Sequence, residues 1–281
     1  MTTRPTDLPD FSNPPLSEVV LGVQFNNLEK FTAAYVGHVW QLFKDKYPLT
    51  EEHPPVIPMF ETFGQALPLS GGLMPGWGFS ASGFMGMPRS FLLNEDRTMV
   101  LQIQRDRFLH NWRKVADAVE YPRFEQILPE FEGELRRFSD FIQENNLGAV
   151  EPNQCEVSYI NQIPIAPGQS PYSEMSAVFG SLLSLPDAEE IGQPDDASLL
   201  LRYILKGEDQ RPIGRLIVSA EPAKLLTGQT IVQLSLTVRG APEPANIAGT
   251  IAFLQAGRRH IVRTFADITS PLYHTRWGRK Q

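Results

Sequence analysis

Ser17 to Phe25 alternates residue by residue, with Val19, Leu21, Val23 and Phe25 on one face and Glu18, Val20, Gly22 and Gln24 on the other. That period belongs to a strand with one side in a core and one side polar, so a second layer has to cover the apolar side. The cover follows at once. After Asn27 as a cap, Leu28, Phe31, Tyr35, Val39 and Leu42 recur every three or four positions up to Tyr47, and Pro48 stops the run, which predicts an amphipathic helix.

The same succession then continues and repeats. Phe91 to Leu93 and Thr98 to Arg105 read as strands joined by the turn Asn94 to Arg97, and Arg107 to Arg113 extends the sheet. Phe124, Ile127, Phe131, Leu135, Phe138 and Ile142 mark a helix with Pro122 suited to its first turn and Gly148 to its end; Pro129 is expected to kink or restart it. Cys155 to Ile163 alternates as a second lead strand. Ser170 and Pro171 open a shorter helix through Met175, Val178, Phe179 and Leu182. Three strands follow, Ser198 to Lys206, Gly214 to Ala220 and Thr230 to Arg239, and a long helix from Pro244 to Phe265 turns Ile247, Ile251, Leu254, Ile261 and Phe265 inward.

Each half is therefore strand, helix, two or three strands, helix. Short turns between consecutive strands favour antiparallel pairing, and the expectation is an α+β fold: one curved, mainly antiparallel sheet with a pseudo-twofold axis and helices on one face. The TATA-binding-protein saddle and duplicated strand-helix-strand-strand ligand-binding modules share this element order, an analogy of fold alone. The expected divisions are a proline-rich lead at 1–16, a first half at 17–150 containing a Gly/Pro-rich arm at 48–88, a second half at 151–268, and a basic tail at 269–281, the halves forming one structural unit.

Composition removes several function classes. Of 281 residues, 42% are hydrophobic and 20% charged, an ordinary globular mixture. No stretch approaches the roughly 18 uninterrupted apolar residues of a membrane span. The polar start carries no basic segment leading into an apolar one, so a cytoplasmic location is expected. A net charge of -7 argues against a broad nucleic-acid surface. One cysteine, Cys155, excludes an internal disulfide framework and a Cys-clustered zinc site. It sits on an alternating strand without a basic neighbour and reads as a small buried apolar group. The five histidines, at 38, 53, 110, 260 and 274, contain no pair at helical i, i+4 spacing. Phosphate-loop, His-Glu-x-x-His and calcium-loop patterns are missing, and Gly76-Trp77-Gly78 lacks the third glycine of a dinucleotide loop. No metal, no cofactor and no catalytic residue is expected.

Binding is the remaining class. Opposite the apolar stripes, the far face of the sheet would present Glu18, Gln24, Gln102, Gln104, Glu156, Ser158, Gln162, Arg202, Gln233 and Ser235. Amides outnumber lysines there. In partial burial such groups need hydrogen-bond partners, from a bound molecule, a partner protein or the chain's own arm, unless the face is simply wet. Trp112 with Arg113, and Tyr121 with Arg123, pair aromatics with guanidiniums, which suits anion or protein contact; the plain alternative is that the aromatics pack a strand-to-helix corner. The arm carries Trp77, Phe79 and Phe84 with other large apolar groups, more than a bare loop would expose. Arg258, Arg259, Arg263, Arg276, Arg279 and Lys280 against Asp267 make a basic end.

Four ordered signatures carry a resemblance: Asn13-Pro-Pro-Leu-Ser-Glu-Val19, Gln104-Arg-Asp-Arg-Phe-Leu-His-Asn-Trp-Arg113, Tyr121-Pro-Arg-Phe-Glu125 and Cys155-Glu-Val-Ser-Tyr-Ile-Asn161. Together they resemble a sporadically distributed bacterial family of uncharacterised proteins, over residues 13–161 and with the Ile261 to Phe265 region compatible. The resemblance implies a bacterial, cytoplasmic, single-unit protein and brings no catalytic residue. The expectation is a non-enzymatic binding or interaction protein, such as a toxin-antitoxin or defence-associated subunit, acting with a protein partner or as a homo-oligomer. The alternative is a small-molecule binder, or a motif-poor enzyme, with its ligand over the polar face; nucleic acid through the basic end is the least favoured partner.

Overall fold

The two alternating strands find each other. In the computed structural model, which describes residues 7–64, 87–183 and 191–280, β1 (Leu16–Phe25) pairs antiparallel with a strand at Pro152–Pro164, Val19 opposite Tyr159 and Val23 opposite Cys155. The remaining elements of the first half are α1 (Ala33–Phe43), β2 (Leu49–His53), β3 (Arg89–Leu93), β4 (Met99–Gln104), β5 (Arg107–Arg113) and α2 (Phe124–Glu144). The second half runs β6 (Pro152–Pro164), α3 (Pro171–Phe179), β7 (Leu199–Lys206), β8 (Pro212–Lys224), β9 (Thr230–Gly240), α4 (Ile247–Ile268) and α5 (Pro271–Arg276).

One open nine-stranded sheet results, ordered β2-β3-β4-β5-β1-β6-β9-β8-β7, with every pairing antiparallel. Each half places its first strand at the centre, its last strand beside it and its hairpins outward, so the strand order has a pseudo-twofold. Val19, Leu21 and Val23 of β1, Val157 of β6 and Leu236 of β9 are all under 3% exposed and meet Phe131, Leu135 and Phe138 of α2 and Leu254 and Ile261 of α4 in one core spanning both halves. Each such side chain contributes about 1.5–3 kcal/mol of burial. Gly257 lets α4 sit close: a Cβ there would lie 2.6 Å from Val157 Cγ1.

Local expectations change where tertiary contacts intervene. The first helix starts at Ala33, not Leu28, because Leu28 N–H donates to Arg105 O (3.0 Å) and Phe31 N–H to Leu28 O (3.0 Å), anchoring the segment to the β4–β5 turn before it can wind. The arm does not begin as a loop; Leu49–His53 is recruited as the edge strand beside β3. α2 runs without a break through Pro129. The proline sits in the second turn and deprives only the Glu125 carbonyl of a helical donor. The lead and the tail are likewise tied together. Ser12 and Asn13 donate to Gly278 O and Trp277 O (both 3.0 Å), Lys280 donates to Asp10 O (2.8 Å), and Phe11 packs edge-on to Phe265 at 5.4 Å. The basic end meets the chain's own groups: Arg258 pairs with Glu125 (2.9 Å), Arg263 with Asp7 (2.6 Å), Lys280 with Asp10 (3.6 Å), and Arg276 stacks over Tyr273. Among the described residues no helix is long and apolar enough to cross a membrane.

Candidate functional site

Strand parity defines the face turned away from the helices. Glu18, Val20, Gly22 and Gln24 lie opposite Arg113, Asn111, Leu109 and Arg107 of β5 on one side and Ile160, Ser158, Glu156 and Gln154 of β6 on the other. Directly paired residues share a face, which adds Gln102 and Gln104 from β4, Thr237 and Arg239 from β9, Arg215 from β8 and Arg202 from β7.

Residues 54–64 lie across this face as a strap. Gln104 grips it with both ends of its amide: Val56 N–H donates to Oε1 (3.0 Å) and Nε2 donates to Val56 O (2.9 Å). Gln24 Oε1 accepts from Met59 N–H (2.9 Å), and Arg107 donates to Ile57 O (2.9 Å). Further along, Arg215 donates to Glu61 and to Thr62 O (both 2.8 Å), and Arg239 stands 3.6 Å from Glu61. Pro54, Pro55 and Pro58 keep the strap extended and lack the N–H groups a ladder would need, so side chains replace strand pairing. Part of the amide-rich face is thus satisfied by the chain's own arm.

Beneath the strap remains a cleft with Gly22 on its floor, Val56 and Met59 on its roof, and Arg89, Arg107, Arg239, Glu156 and Gln154 on its walls. Arg239 donates to Glu156 Oε2 from Nε at 2.7 Å and again from Nη2; the two carboxylates near it, Glu156 first and then Glu61, outweigh burial and hold its guanidinium above its ordinary value. Arg89 is in the opposite position. Burial, followed by repulsion from Arg107, pushes it down to about 10. Gln154 Oε1 is buried on the same wall without a hydrogen-bond partner. The cleft therefore places two guanidiniums, Arg107 paired with the buried Asp106 at 3.2 Å, and an open amide oxygen around one space, to which an anion bearing a hydroxyl or amino donor is complementary.

A side-chain relay leads away from the cleft. Arg89 donates to Gln102 Oε1 (2.9 Å), Gln102 to Asn111 Oδ1 (2.8 Å) and Asn111 to Glu18 Oε1 (2.6 Å). Burial raises the Glu18 carboxyl above its ordinary value against the opposing help of Asn111 and Arg113. Glu18, Arg113 and Gln233 line a depression at this end of the face. Ser158 is occupied by Thr237, hydroxyl to hydroxyl at 2.7 Å.

Of the residues expected on the polar face, the structure gathers Gln24, Gln104 and Glu156 around the strap and cleft and joins Gln102 and Glu18 through the relay, with Arg113 beside Glu18; Arg202 stands apart on edge strand β7. Trp112 takes the plain alternative, core packing beside Tyr121, while Arg113 alone faces the polar side. Trp112 pairs with Val19, is 2% exposed and packs at a tilt against Tyr121 at 5.1 Å, because neighbours in a strand point opposite ways and Arg113 takes the polar side. Trp77, Phe79 and Phe84 lie outside the described residues. Sequence reasoning missed Arg107 and Arg239, although both have the parity of Gln24 and Gln233; no local pattern marked Glu61 or Arg89.

Cys155 is buried on the core side, where desolvation pushes its thiol up to about 12. Among the described residues no group of three or more His, Cys, Asp or Glu is arranged to hold a metal ion. Fold and site together define a class: an open antiparallel α+β sheet whose polar face is strapped by its own chain over a charged cleft. Comparison with known proteins adds nothing to that description, since no family model, no curated protein and no solved structure matches the chain.

Proposed function

We propose that this is a binding protein, not an enzyme, and that the cleft under the strap takes a small polar anion such as a hydroxy acid or a phosphate monoester. One observation carries the reading: Arg89 and Arg107 face the same roofed space, and burial first and Arg107 second disfavour the Arg89 charge even with Asp106 paired to Arg107 at 3.2 Å, an arrangement that a bound anion relieves. The strap acts as a closed roof, since Val56 and Met59 cover the space while the glutamines hold them. Differential scanning fluorimetry with malate and glycerol 3-phosphate tests it, chloride at equal ionic strength being the control. A ligand present at about 100 times its Kd stabilises the native state by about 2.7 kcal/mol. Malate or glycerol 3-phosphate should therefore raise Tm in the native protein and not in Arg107→Gln; equal shifts in both proteins, or none in either, refute the reading.

A second reading, partner binding, has its own support. β7 is an edge strand, and Leu200 (46%), Tyr203 (44%) and Ile204 (45%) stand exposed on it. Unpaired apolar edges of this kind accept an added strand. Size exclusion with light scattering across protein concentration, repeated on Tyr203→Lys, separates self-association from a monomer.

A further inference from the structure

On the opposite side of the sheet, independent of the strap, a second cleft opens between α4, β6 and the lead. Its walls are apolar: Phe11 from the lead, Leu236 from β9, and Ile261, Val262 and Phe265 from α4. Its inner end is not. Tyr121 and Tyr159 meet hydroxyl to hydroxyl at 3.0 Å, and Arg258, 6% exposed, stands beside them with a hydrogen bond to Tyr159.

Counting protons shows what this end lacks. Two phenols bring two O–H donors and one hydrogen bond between them uses one, so a phenolic proton is left over. Arg258 donates from Nη2 to Glu125 at 2.9 Å, while its buried Nε–H has no partner. The surplus is of donors, and an acceptor would complete it. The two guanidiniums at this end are each paired, Arg258 with Glu125 at 2.9 Å and Arg123 with Asp10 at 3.1 Å. The loop presenting Tyr121 is also held under tension, for Arg123 has φ 75° and ψ 150°, a region that essentially only glycine occupies. Asp10 of the lead holds the Arg123 side chain at 3.1 Å.

We propose that this cleft binds a small monocarboxylic acid with an apolar body, the carboxylate received by the Tyr121–Tyr159 pair and Arg258 and the body laid against Phe11, Leu236 and Phe265. A cleft that is mostly apolar with a few convergent donors has the build of a small-molecule site. The acid's carboxylate removes the donor surplus left by the phenols and the Arg258 Nε–H.

Hexanoate and benzoate, with hexanol and benzyl alcohol as neutral counterparts, are the probes, followed by isothermal titration and by tryptophan fluorescence. Trp277 lies 5.2 Å from Phe265 and Trp112 5.1 Å from Tyr121, so both report on the cleft. The expected result is saturable one-to-one binding of an acid, about tenfold tighter than its alcohol, and a loss of about tenfold in Tyr159→Phe with the alcohol unaffected. Tyr121→Phe should reproduce the loss if Tyr159→Phe folds poorly, each variant being checked for a cooperative melt. Arg107→Gln, across the sheet, should leave acid binding unchanged, which separates this site from the cleft under the strap. No saturable binding, equal affinity for acid and alcohol, acid binding untouched in both tyrosine variants, or its loss in Arg107→Gln overturns the proposal.

Discussion

The Gln104 side-chain amide pairs with both backbone groups of Val56, reproducing with one side chain what a neighbouring strand would supply with its backbone. Val56 lies among Pro54, Pro55 and Pro58, so the strap cannot form a ladder, yet its carbonyls and remaining N–H groups still need partners against the sheet. The glutamines on β1 and β4 meet that need, and their place on the polar face has a structural as well as a binding consequence.

Gln104→Ala should release the strap while leaving the sheet intact. It strands both Val56 groups, at a cost of about 1–3 kcal/mol, and hydrogen exchange at Val56 and Met59 should quicken more than exchange in β1. Unchanged exchange at those two amides would show that the glutamine does not hold the strap.

Glu18 and its relay predict a pH effect of unusual sign. Its folded-state value lies above the ordinary 4.5 because burial disfavours the charge, so its ionisation takes stability away as pH rises through the unfolded value toward the folded one. Glu18→Gln keeps an acceptor for Asn111 and removes that charge. It should be more stable than the native protein at pH 7, the advantage shrinking in acid. Chemical denaturation at pH 7 and pH 4 checks this, and a variant less stable at pH 7 contradicts it.

Glu134 predicts the reverse. Its carboxylate is buried under the sheet, 2.6 Å from His110 Nδ1, and accepts from Tyr47 (2.7 Å) and Lys46 (2.9 Å). Burial opposes the charge, but these partners, His110 foremost, win and hold the carboxyl below its ordinary 4.5. Its stabilisation is complete above 4.5 and is lost as pH falls through the folded value. Glu134→Ala should cost about 3–5 kcal/mol at pH 7, as expected when one partner of a buried charged set is removed. It should also flatten acid unfolding below pH 4.5; a cost under about 1 kcal/mol, the range of an exposed pair, would mean the set carries little.

Cys155 should be inert in the folded protein. With its thiol pushed up to about 12 and its side chain in the core, the thiolate is scarce at pH 8 and sheltered. A thiol-reactive dye should label it only on denaturation, at a rate tracking global unfolding; rapid labelling of native protein at pH 8 would place it elsewhere.

The outline of the fold was legible because periodicity reports burial. Alternation at Ser17 to Phe25 and Cys155 to Ile163 located the central strands, and the Phe124 to Ile142 stripe located α2. β2 was not legible, since Leu-Thr-Glu-Glu-His carries little β preference and becomes a strand only when β3 offers it an edge. The site was half legible for the same reason. Parity told which residues leave the core, and it placed Gln24, Gln104 and Glu156 together; applied more strictly, it would have chosen the core for Trp112 and added Arg107 and Arg239.

Residue order alone determined two matching halves, an α+β layer structure and a polar sheet face, because these follow from local periods of two and 3.6. Only the tertiary structure decided what lies on that face. Glu61 meets Arg215 across 154 positions and Tyr121 meets Tyr159 across 38, and such meetings depend on how the halves pack, which no local pattern encodes.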